Sequence, residues 1–360
     1  INRVISIAPE LEFAHLTRLQ ICNELIPVSQ ILDFCKDSLQ SLPNSNQLWY
    51  ELSQIELKLG NTLMADQAFQ KHLVLSASTP LLKKGIKAFF EHDYLPSEQY
   101  VRQHLKLHPD DVNAIRLLGE IALNLGVFED AQKLFERALH LAPKYFLARL
   151  NYAHVLNKRE KSKHAFQQIE LLEKTHPNHA PVLTIKAAIL VKLGEYTNAV
   201  DIYRHLLENK SNQFEVWASL GHTYKTIGDT PNAIHAYQKS LEYNPEYGDA
   251  YWSLANLKTY QFSQIELNNM VACYDKLKSQ QNENVAQLCF ALGKAYESRG
   301  DIDSSFQYYQ TGNDIKGKIE PYDSIEIEKL ITNNRTFFSD VVTEKNTEHT
   351  FNTTPIFIVG

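Results

Sequence analysis

The hydrophobic and polar positions of residues 214–245 follow the period of two short helices joined by a turn. Four positions of the first segment are spaced so that they share one helix face: Trp217, Leu220, Gly221 and Tyr224. A Gly-Asp pair then breaks the helix, and Thr230 followed by Pro231 is typical of an N-cap before a second helix. Because Gly221 and Ala233 are small, the pattern predicts that the two helix backbones approach closely between them.

The same pattern recurs along the chain every 34 residues. Prolines at 109, 143, 177 and 245 end successive copies, which places repeat starts at 78, 112, 146, 180 and 214. The small position of the first helix is occupied in turn by Ser53, Gly85, Gly119, Ala153, Ala187, Gly221, Ala255 and Gly293. Its counterpart on the second helix is Ala65, Ser97, Ala131, Ala165, Ala199 or Ala233. Every one is Gly, Ala or Ser, so the pattern predicts a close helix contact in each repeat.

This arrangement resembles the tetratricopeptide repeat, a helix-turn-helix unit with the pattern W-x2-L-G-x2-Y followed by Ala, an aromatic residue and Pro. The resemblance implies an all-α fold, a tetratricopeptide-repeat α-solenoid in which about nine helical hairpins stack into a right-handed superhelix. A single hairpin cannot bury its own apolar face, so each hairpin is expected to cover its neighbour.

The pattern divides the chain into three predicted segments. Residues 1–318 are expected to form the tetratricopeptide-repeat superhelix, beginning with an incomplete hairpin. Residues 319–354 are expected to form a helix and a polar linker. Residues 355–360, Pro-Ile-Phe-Ile-Val-Gly, are an apolar run typical of a β-strand covered on both faces.

One repeat, at 248–285, is irregular in its second half. There Ser263 and Glu266 form a predicted capping box that begins a helix running to about residue 278. Leu267 stands where the pattern has alanine, so this helix is expected to pack at a different angle or distance.

A second resemblance covers the chain from about residue 248 onward. Residues 250–258 (AYWSLANLK), residues 290–296 (FALGKAY), the Pro-Tyr-Asp turn at 321–323 and the terminal PIFIVG look like the bacterial tetratricopeptide-sulfotransferase family. In that family the last motif is the first strand of a sulfotransferase domain. It leads into a loop that holds the 5′-phosphate of the sulfate donor PAPS at a helix N-terminus. The resemblance implies a repeat region cut just before this loop, since Gly360 immediately precedes it, and it carries no catalytic or cofactor-binding residue into this chain.

The predicted binding surface is the concave face of the solenoid, which in this repeat family is lined by fixed positions of the first helix. Five residues there are the candidates for binding a protein or peptide partner: Asn151, His154, His222, Trp252 and Asn256. Trp252 is either an aromatic anchor for a peptide or a packing residue against the helix predicted at 264–278. The Lys and Asn combination of chaperone-binding repeats is absent from the sequence, and so is the asparagine ladder of O-linked glycosyltransferases.

These observations predict the protein- or peptide-binding arm of a PAPS-dependent sulfotransferase, which recruits or presents the acceptor. Two alternatives share the architecture: a stand-alone scaffold or adaptor with no enzymatic domain, and the arm of a tetratricopeptide glycosyltransferase. Whether the protein is an enzyme depends, in this interpretation, on the residues encoded after Gly360. No cofactor is expected in this chain itself, and PAPS belongs to the longer protein that it resembles.

Composition adds little to this picture. The formal net charge is −6, which gives no electrostatic reason to expect nucleic-acid binding. The sequence has no run of Lys and Arg that would favour a membrane surface and no apolar stretch long enough to span a bilayer. A cytoplasmic location is therefore expected. Cys35 and Cys289 fall on packing positions of the repeats, which indicates buried reduced thiols and not a disulfide framework.

Two pairs of histidines are candidate metal ligands by spacing. His104 and His108 lie four apart on a predicted helix, but Pro109 follows, and imidazoles at a helix C-terminus explain them without a metal. His176 and His179 flank a repeat turn and are expected at the surface. No metal site is predicted.

Overall fold

The computed structural model of this protein describes residues 1–59, 61–257, 259–321 and 324–343. The chain is 79% helical, and the described residues form no β-strand. The helices are α1 Asn2–Ile7, α2 Glu12–Leu25, α3 Val28–Ser41, α4 Asn46–Leu59, α5 Thr62–Ser76, α6 Pro80–Phe90, α7 Tyr94–Leu107, α8 Val112–Asn124, α9 Phe128–Leu141, α10 Phe146–Lys158, α11 Ser162–Glu173, α12 Ala180–Lys192, α13 Tyr196–Asn209, α14 Phe214–Thr226, α15 Thr230–Tyr243, α16 Gly248–Ala255, α17 Gln264–Leu277, α18 Glu283–Glu297, α19 Ile302–Ile319 and α20 Ser324–Thr343. The predicted all-α fold is confirmed, whereas the strand predicted at 355–360 lies outside the described residues.

Two compact units divide the chain, Ile1–Leu257 and Lys258–Gly360. The boundary falls inside the repeat at 248–285 that the sequence marks as irregular. The first unit contains α1 to α16 and the second contains α17 to α20. The assignment of residues 1–318 to one superhelix stays a prediction.

Consecutive helices pair into hairpins throughout the described part of the first unit, from α2 with α3 to α14 with α15. From α6 onward, the first helix of a repeat also packs against the first helix of the next. This second set of contacts joins α6, α8, α10, α12, α14 and α16 into one row. The hairpins therefore stack as a solenoid, and the row of first helices forms one continuous face of the first unit.

The small residues sit where the two helices of a hairpin meet. A Cβ atom added to Gly119 would lie 2.7 Å from Cε1 of Phe135, and one added to Gly221 would lie 2.6 Å from Cε1 of Tyr237. Both rings are fully buried, so neither can move aside freely. The predicted close contact is confirmed, and its tightness comes from an aromatic ring laid directly against the glycine backbone.

The structure confirms one of the two predicted helix caps and corrects the other. Ser263 and Glu266 form the predicted capping box at the start of α17, and the helix ends at Leu277, as expected. The predicted N-cap at Thr230 is wrong, because Asp229 caps α15 and its side chain accepts a hydrogen bond from the backbone N–H of Asn232 at 3.3 Å. A carboxylate one residue earlier reaches the free N–H groups of the first turn, so Thr230 becomes the first helical residue.

All four cysteines are free thiols. Cys35 and Cys289 are fully buried, as the repeat register predicts. Burial raises the pKa of each of these two thiols to about 12, so both stay protonated at neutral pH and are poor nucleophiles.

The first unit also brings together residues that are far apart in sequence. Nζ of Lys210 donates a hydrogen bond to the carbonyl oxygen of Leu57 at 3.2 Å, across 153 residues. Leu57 lies in the last turn of α4, where carbonyl groups have no intrahelical donor and the helix dipole favours a cation. The helices α5 to α13 lie between these two points of the chain, so the contact limits how far they can spread apart.

His179 is half-buried and not at the surface, so that expectation is wrong. Its ring packs on Phe146 with centroids 4.9 Å apart, and its Nδ1 atom is buried without a hydrogen-bond partner. Burial, together with the charges of His176 and Lys58, lowers the pKa of His179 to about 4 from its ordinary 6.5. The folded protein therefore keeps this ring neutral where the unfolded chain would protonate it.

Replacing His179 by phenylalanine should reduce the loss of stability on acidification. As the pH falls from about 6.5 to about 4, unfolded wild type binds a proton that the folded protein does not, which favours unfolding. His179→Phe keeps the ring contact, removes this proton and relieves the unpaired Nδ1 atom, which should add about 1 kcal/mol at neutral pH. Urea midpoints at pH 7 and pH 5 measure both effects. A variant with the same pH dependence as wild type would contradict the assignment.

Candidate functional site

A groove lies on the row of first helices in the first unit. It has a volume of about 530 Å³ and is formed by α6, α8, α10, the turn after α8 and the start of α9. Its lining residues are Phe89, Glu120, Leu123, Asn124, Gly126, Phe128, Asn151, His154 and Lys158. We call this space the inner groove. Aromatic and aliphatic side chains beside a few polar groups are typical of a site that binds a side chain of a partner.

One wall of the inner groove is held by a buried arginine. Arg116 is 1% exposed, and its Nη1 atom lies 2.6 Å from Oε1 of Glu120. Its Nε atom donates to the hydroxyl of Tyr145 at 3.0 Å, and Tyr145 donates to Asn113 at 2.6 Å. Burial by itself lowers the pKa of Arg116, but Glu120 and Tyr145 more than offset it, so the net pKa lies above the ordinary value. The guanidinium is therefore a fixed cation, and Glu120 is its counter-ion.

Asn151 joins the same network from the neighbouring helix. Its Nδ2 atom donates to Oε1 of Glu120 at 2.6 Å, which links α10 to α8. Asn124 is exposed, and its side chain donates to the carbonyl oxygen of Glu120 at 2.9 Å. The amide groups on this wall are thus held in one orientation before any partner arrives.

His154 and Lys158 lie on α10 and also line the inner groove. Burial lowers the pKa of His154, and the positive charge of Lys158 lowers it further. The imidazole is therefore neutral at physiological pH and can either donate or accept a hydrogen bond. Lys158 is exposed. None of the residues described in the structure places a carboxylate within ion-pair distance of it.

The structure brings two of the five candidate residues together, Asn151 and His154, and both line the inner groove. His222 lies elsewhere, with Nε2 2.9 Å from Oδ2 of Asp249 and Nδ1 3.0 Å from the hydroxyl of Tyr237. Both ring nitrogens of His222 thus contact residues of neighbouring helices.

Trp252 lies within α16, Asn256 follows that helix, and neither lines the inner groove. Trp252 is half-buried, whereas Asn256 is exposed and follows the last helical residue. The binding role of all five candidate residues stays a prediction.

The sequence reasoning missed the apolar side of the inner groove. Phe89 lies in the last turn of α6 and Phe128 begins α9, and neither is among the five residues that the sequence singles out as candidates. A signal was present, since a large aromatic at a helix end beside a turn has less to pack against than one in mid-helix. Only the stacking of three repeats shows that the two rings border one space.

The first histidine pair is explained without a metal. His104 is fully buried, with Nδ1 2.8 Å from Oγ1 of Thr79 and Nε2 3.1 Å from Oδ2 of Asp111. Both ring nitrogens are therefore engaged, and His108 stacks on the ring at 4.8 Å. Among all residues that the structure describes, no group of three or more His, Cys, Asp or Glu side chains could hold a metal ion.

Comparison with known families agrees with this geometry. The profile of the family "Cytochrome c-type biogenesis protein H TPR domain" matches residues 99–213. The profile "Tetratricopeptide repeat" matches residues 214–247 and 286–318. Together these repeat profiles match about half of the chain, and the chain belongs to the tetratricopeptide repeat proteins. Proteins of this class bind protein partners.

Curated relatives match only part of their own length. The chain is 27% identical over 165 residues to "Tetratricopeptide repeat protein 6" of Homo sapiens, covering 44% of this chain and 32% of that protein. It is 27% identical over 169 residues to "Protein NPGR2" of Arabidopsis thaliana, covering 45% of this chain and 22% of that protein. The chain thus spans about a third and about a fifth of these two relatives.

A solved tetratricopeptide repeat protein from Parabacteroides merdae is also similar. It is 16% identical, with a TM-score of 0.47, over 70% of this chain and 96% of that one. Separately, none of the helices described here is long and apolar enough to cross a bilayer.

Proposed function

We propose that the inner groove binds a peptide segment of a protein partner. The observation that carries this proposal is a preformed space of about 530 Å³ that is lined both by aromatic side chains and by amides held in hydrogen bonds. Such a space can accept a side chain of a partner without the entropic cost of ordering its own wall. The stacked repeats and the protein-interaction role of the class support the same conclusion.

Filling the inner groove with a bulky side chain tests the proposal. Peptides selected from a displayed random library on the whole chain should lose binding about tenfold or more to Asn124→Trp, because the indole occupies the space. Asn124 is exposed, so this change leaves the core intact. The matched control is Asn198→Trp, an exposed asparagine on α13 outside the groove. Selected peptides that bind wild type and Asn124→Trp equally would defeat the proposal.

We also propose, as a finer assignment, that this region is the arm of a cytoplasmic PAPS-dependent sulfotransferase. Its support is the resemblance of the sequence from residue 248 to Gly360, whose last part lies outside the described residues. The family profiles and relatives are those of repeat proteins, so a stand-alone scaffold fits them equally well. Reading the gene beyond Gly360 tests the assignment. A continuation without a basic, Ser- or Thr-containing turn after the glycine would refute it.

A further inference from the structure

One turn position has the same unusual backbone in five successive repeats. Residues 92, 126, 160, 194 and 228 are each 34 apart, and all have positive φ. Three are glycine, with φ of 76° at Gly126, 81° at Gly194 and 83° at Gly228. The other two are His92, with φ of 61°, and Glu160, with φ of 59°. A side chain in this left-handed region costs free energy that glycine avoids, and each of these two side chains makes a contact that offsets part of that cost. At His92 the ring Nδ1 atom lies 3.0 Å from the hydroxyl of Tyr94.

At Glu160 the contact is an ion pair with the next repeat. Oε1 of Glu160 lies 2.6 Å from Nζ of Lys192, the last residue of α12. Lys192 also donates to the carbonyl oxygen of Asn157 at 2.8 Å. At this turn, then, the fold places a carboxylate from one repeat against a lysine at the end of the following first helix.

Lys158 is the repeat equivalent of Lys192, because the two are 34 residues apart and each ends its first helix. The residue equivalent to Glu160 is then Gly126, which has no side chain and cannot form an ion pair with Lys158. Both Lys158 and Gly126 line the inner groove. The other charged residue of the groove, Glu120, is already paired with Arg116 at 2.6 Å. Among the described residues, Lys158 thus has no carboxylate partner, and a Cβ added to Gly126 in the same groove would meet nothing within 4 Å.

We propose that an Asp or Glu side chain of the bound peptide occupies the space beside Gly126 and pairs with Lys158, as Glu160 pairs with Lys192. This inference rests on the proposed peptide-binding function and names the chemistry of the partner. Phe89 and Phe128 line the same groove, so an apolar residue of the peptide next to the acidic one is expected to contact them. The partner is therefore an acidic peptide with an adjoining apolar residue.

The decisive variant supplies the missing carboxylate from within the chain. Gly126→Glu should reproduce the Glu160 arrangement, pair with Lys158 and weaken peptides selected on wild type about tenfold or more. Gly228→Glu is the matched control, since it puts the same residue on the same backbone at a turn outside the inner groove. Its affinity for the peptides should equal that of wild type. Circular dichroism before each measurement shows that the variants are folded.

A second variant keeps the test independent of the strained turn. Lys158→Glu should change the selected peptides from Asp- and Glu-rich to Lys- and Arg-rich, whereas Lys163→Glu on α11 should leave the preference unchanged. Binding measured by fluorescence anisotropy should also fall about tenfold when the acidic residue of a selected peptide becomes its amide. Peptides that need the open groove but show no acidic preference would overturn this inference and leave the proposed function standing. Absence of any groove-dependent peptide would overturn both.

Discussion

Replacing Gly221 by leucine should be among the most destabilising single changes in this protein. Even a single added Cβ would lie 2.6 Å from the ring of Tyr237, which is fully buried and has no free space to move into. The two helices of this hairpin must then separate, and overpacking of this kind costs about 3 kcal/mol or more. Urea unfolding followed by circular dichroism measures the loss.

Gly317 provides the matched control within the same chain. It is also a helical glycine, near the end of α19, but a Cβ added there meets nothing within 4 Å. Gly317→Leu should therefore raise stability by about 0.5–1 kcal/mol through helix propensity alone. Similar changes in stability for the two variants would show that the contact between Gly221 and Tyr237 does not hold the hairpin together.

Removing the buried cation behind the inner groove should have a comparable effect. Arg116→Ala leaves Glu120 without its counter-ion and Tyr145 without a donor. It also leaves a cavity in place of the largest fully buried side chain among the described residues. Breaking one partner of a buried ion pair costs about 3–5 kcal/mol. Thermal and urea unfolding report the change, and loss of the fixed wall should also weaken peptides that bind the groove.

An exposed pair with the same sequence spacing isolates the effect of burial. Lys133 and Glu129 lie four apart on α9 at 2.9 Å, and both side chains are well exposed. Lys133→Ala should leave the unfolding midpoint close to that of wild type, because solvent screens the pair and replaces its contacts. An equally small change for Arg116→Ala would mean that the Arg116 network contributes little to the fold.

Local sequence was sufficient for the helices and for much of the packing. The capping box of Ser263 and Glu266 was readable because both partners lie within one helical turn. The glycine and alanine positions were readable because a close helix contact tolerates only small residues. The error at Thr230 is of the same local kind, since Asp229 and Thr230 are both good N-caps and the choice depends on where the previous turn ends.

The sequence predicted only some of the residues that line the inner groove. Asn151 and His154 follow from the repeat register, and the structure places both on the inner groove. His222 has the same register but is engaged by Asp249 and Tyr237 from two other helices. The position of a residue in the repeat predicts the direction of its side chain from the helix. It does not predict which side chains of neighbouring repeats contact that side chain.

By itself the sequence determined that this protein is a stack of helical hairpins, because a recurring pattern of small and large residues dictates how each hairpin meets the next. Only the tertiary structure decided which charges are satisfied. Lys192 and Lys158 occupy equivalent positions, yet Lys192 pairs with Glu160, whereas Lys158 lines the inner groove together with Gly126. The same holds for Lys210, which reaches the carbonyl of Leu57 only because the stacked repeats bring distant helices together. The physical reason is that electrostatic partners are chosen by distance in space, which the stacking of whole repeats sets.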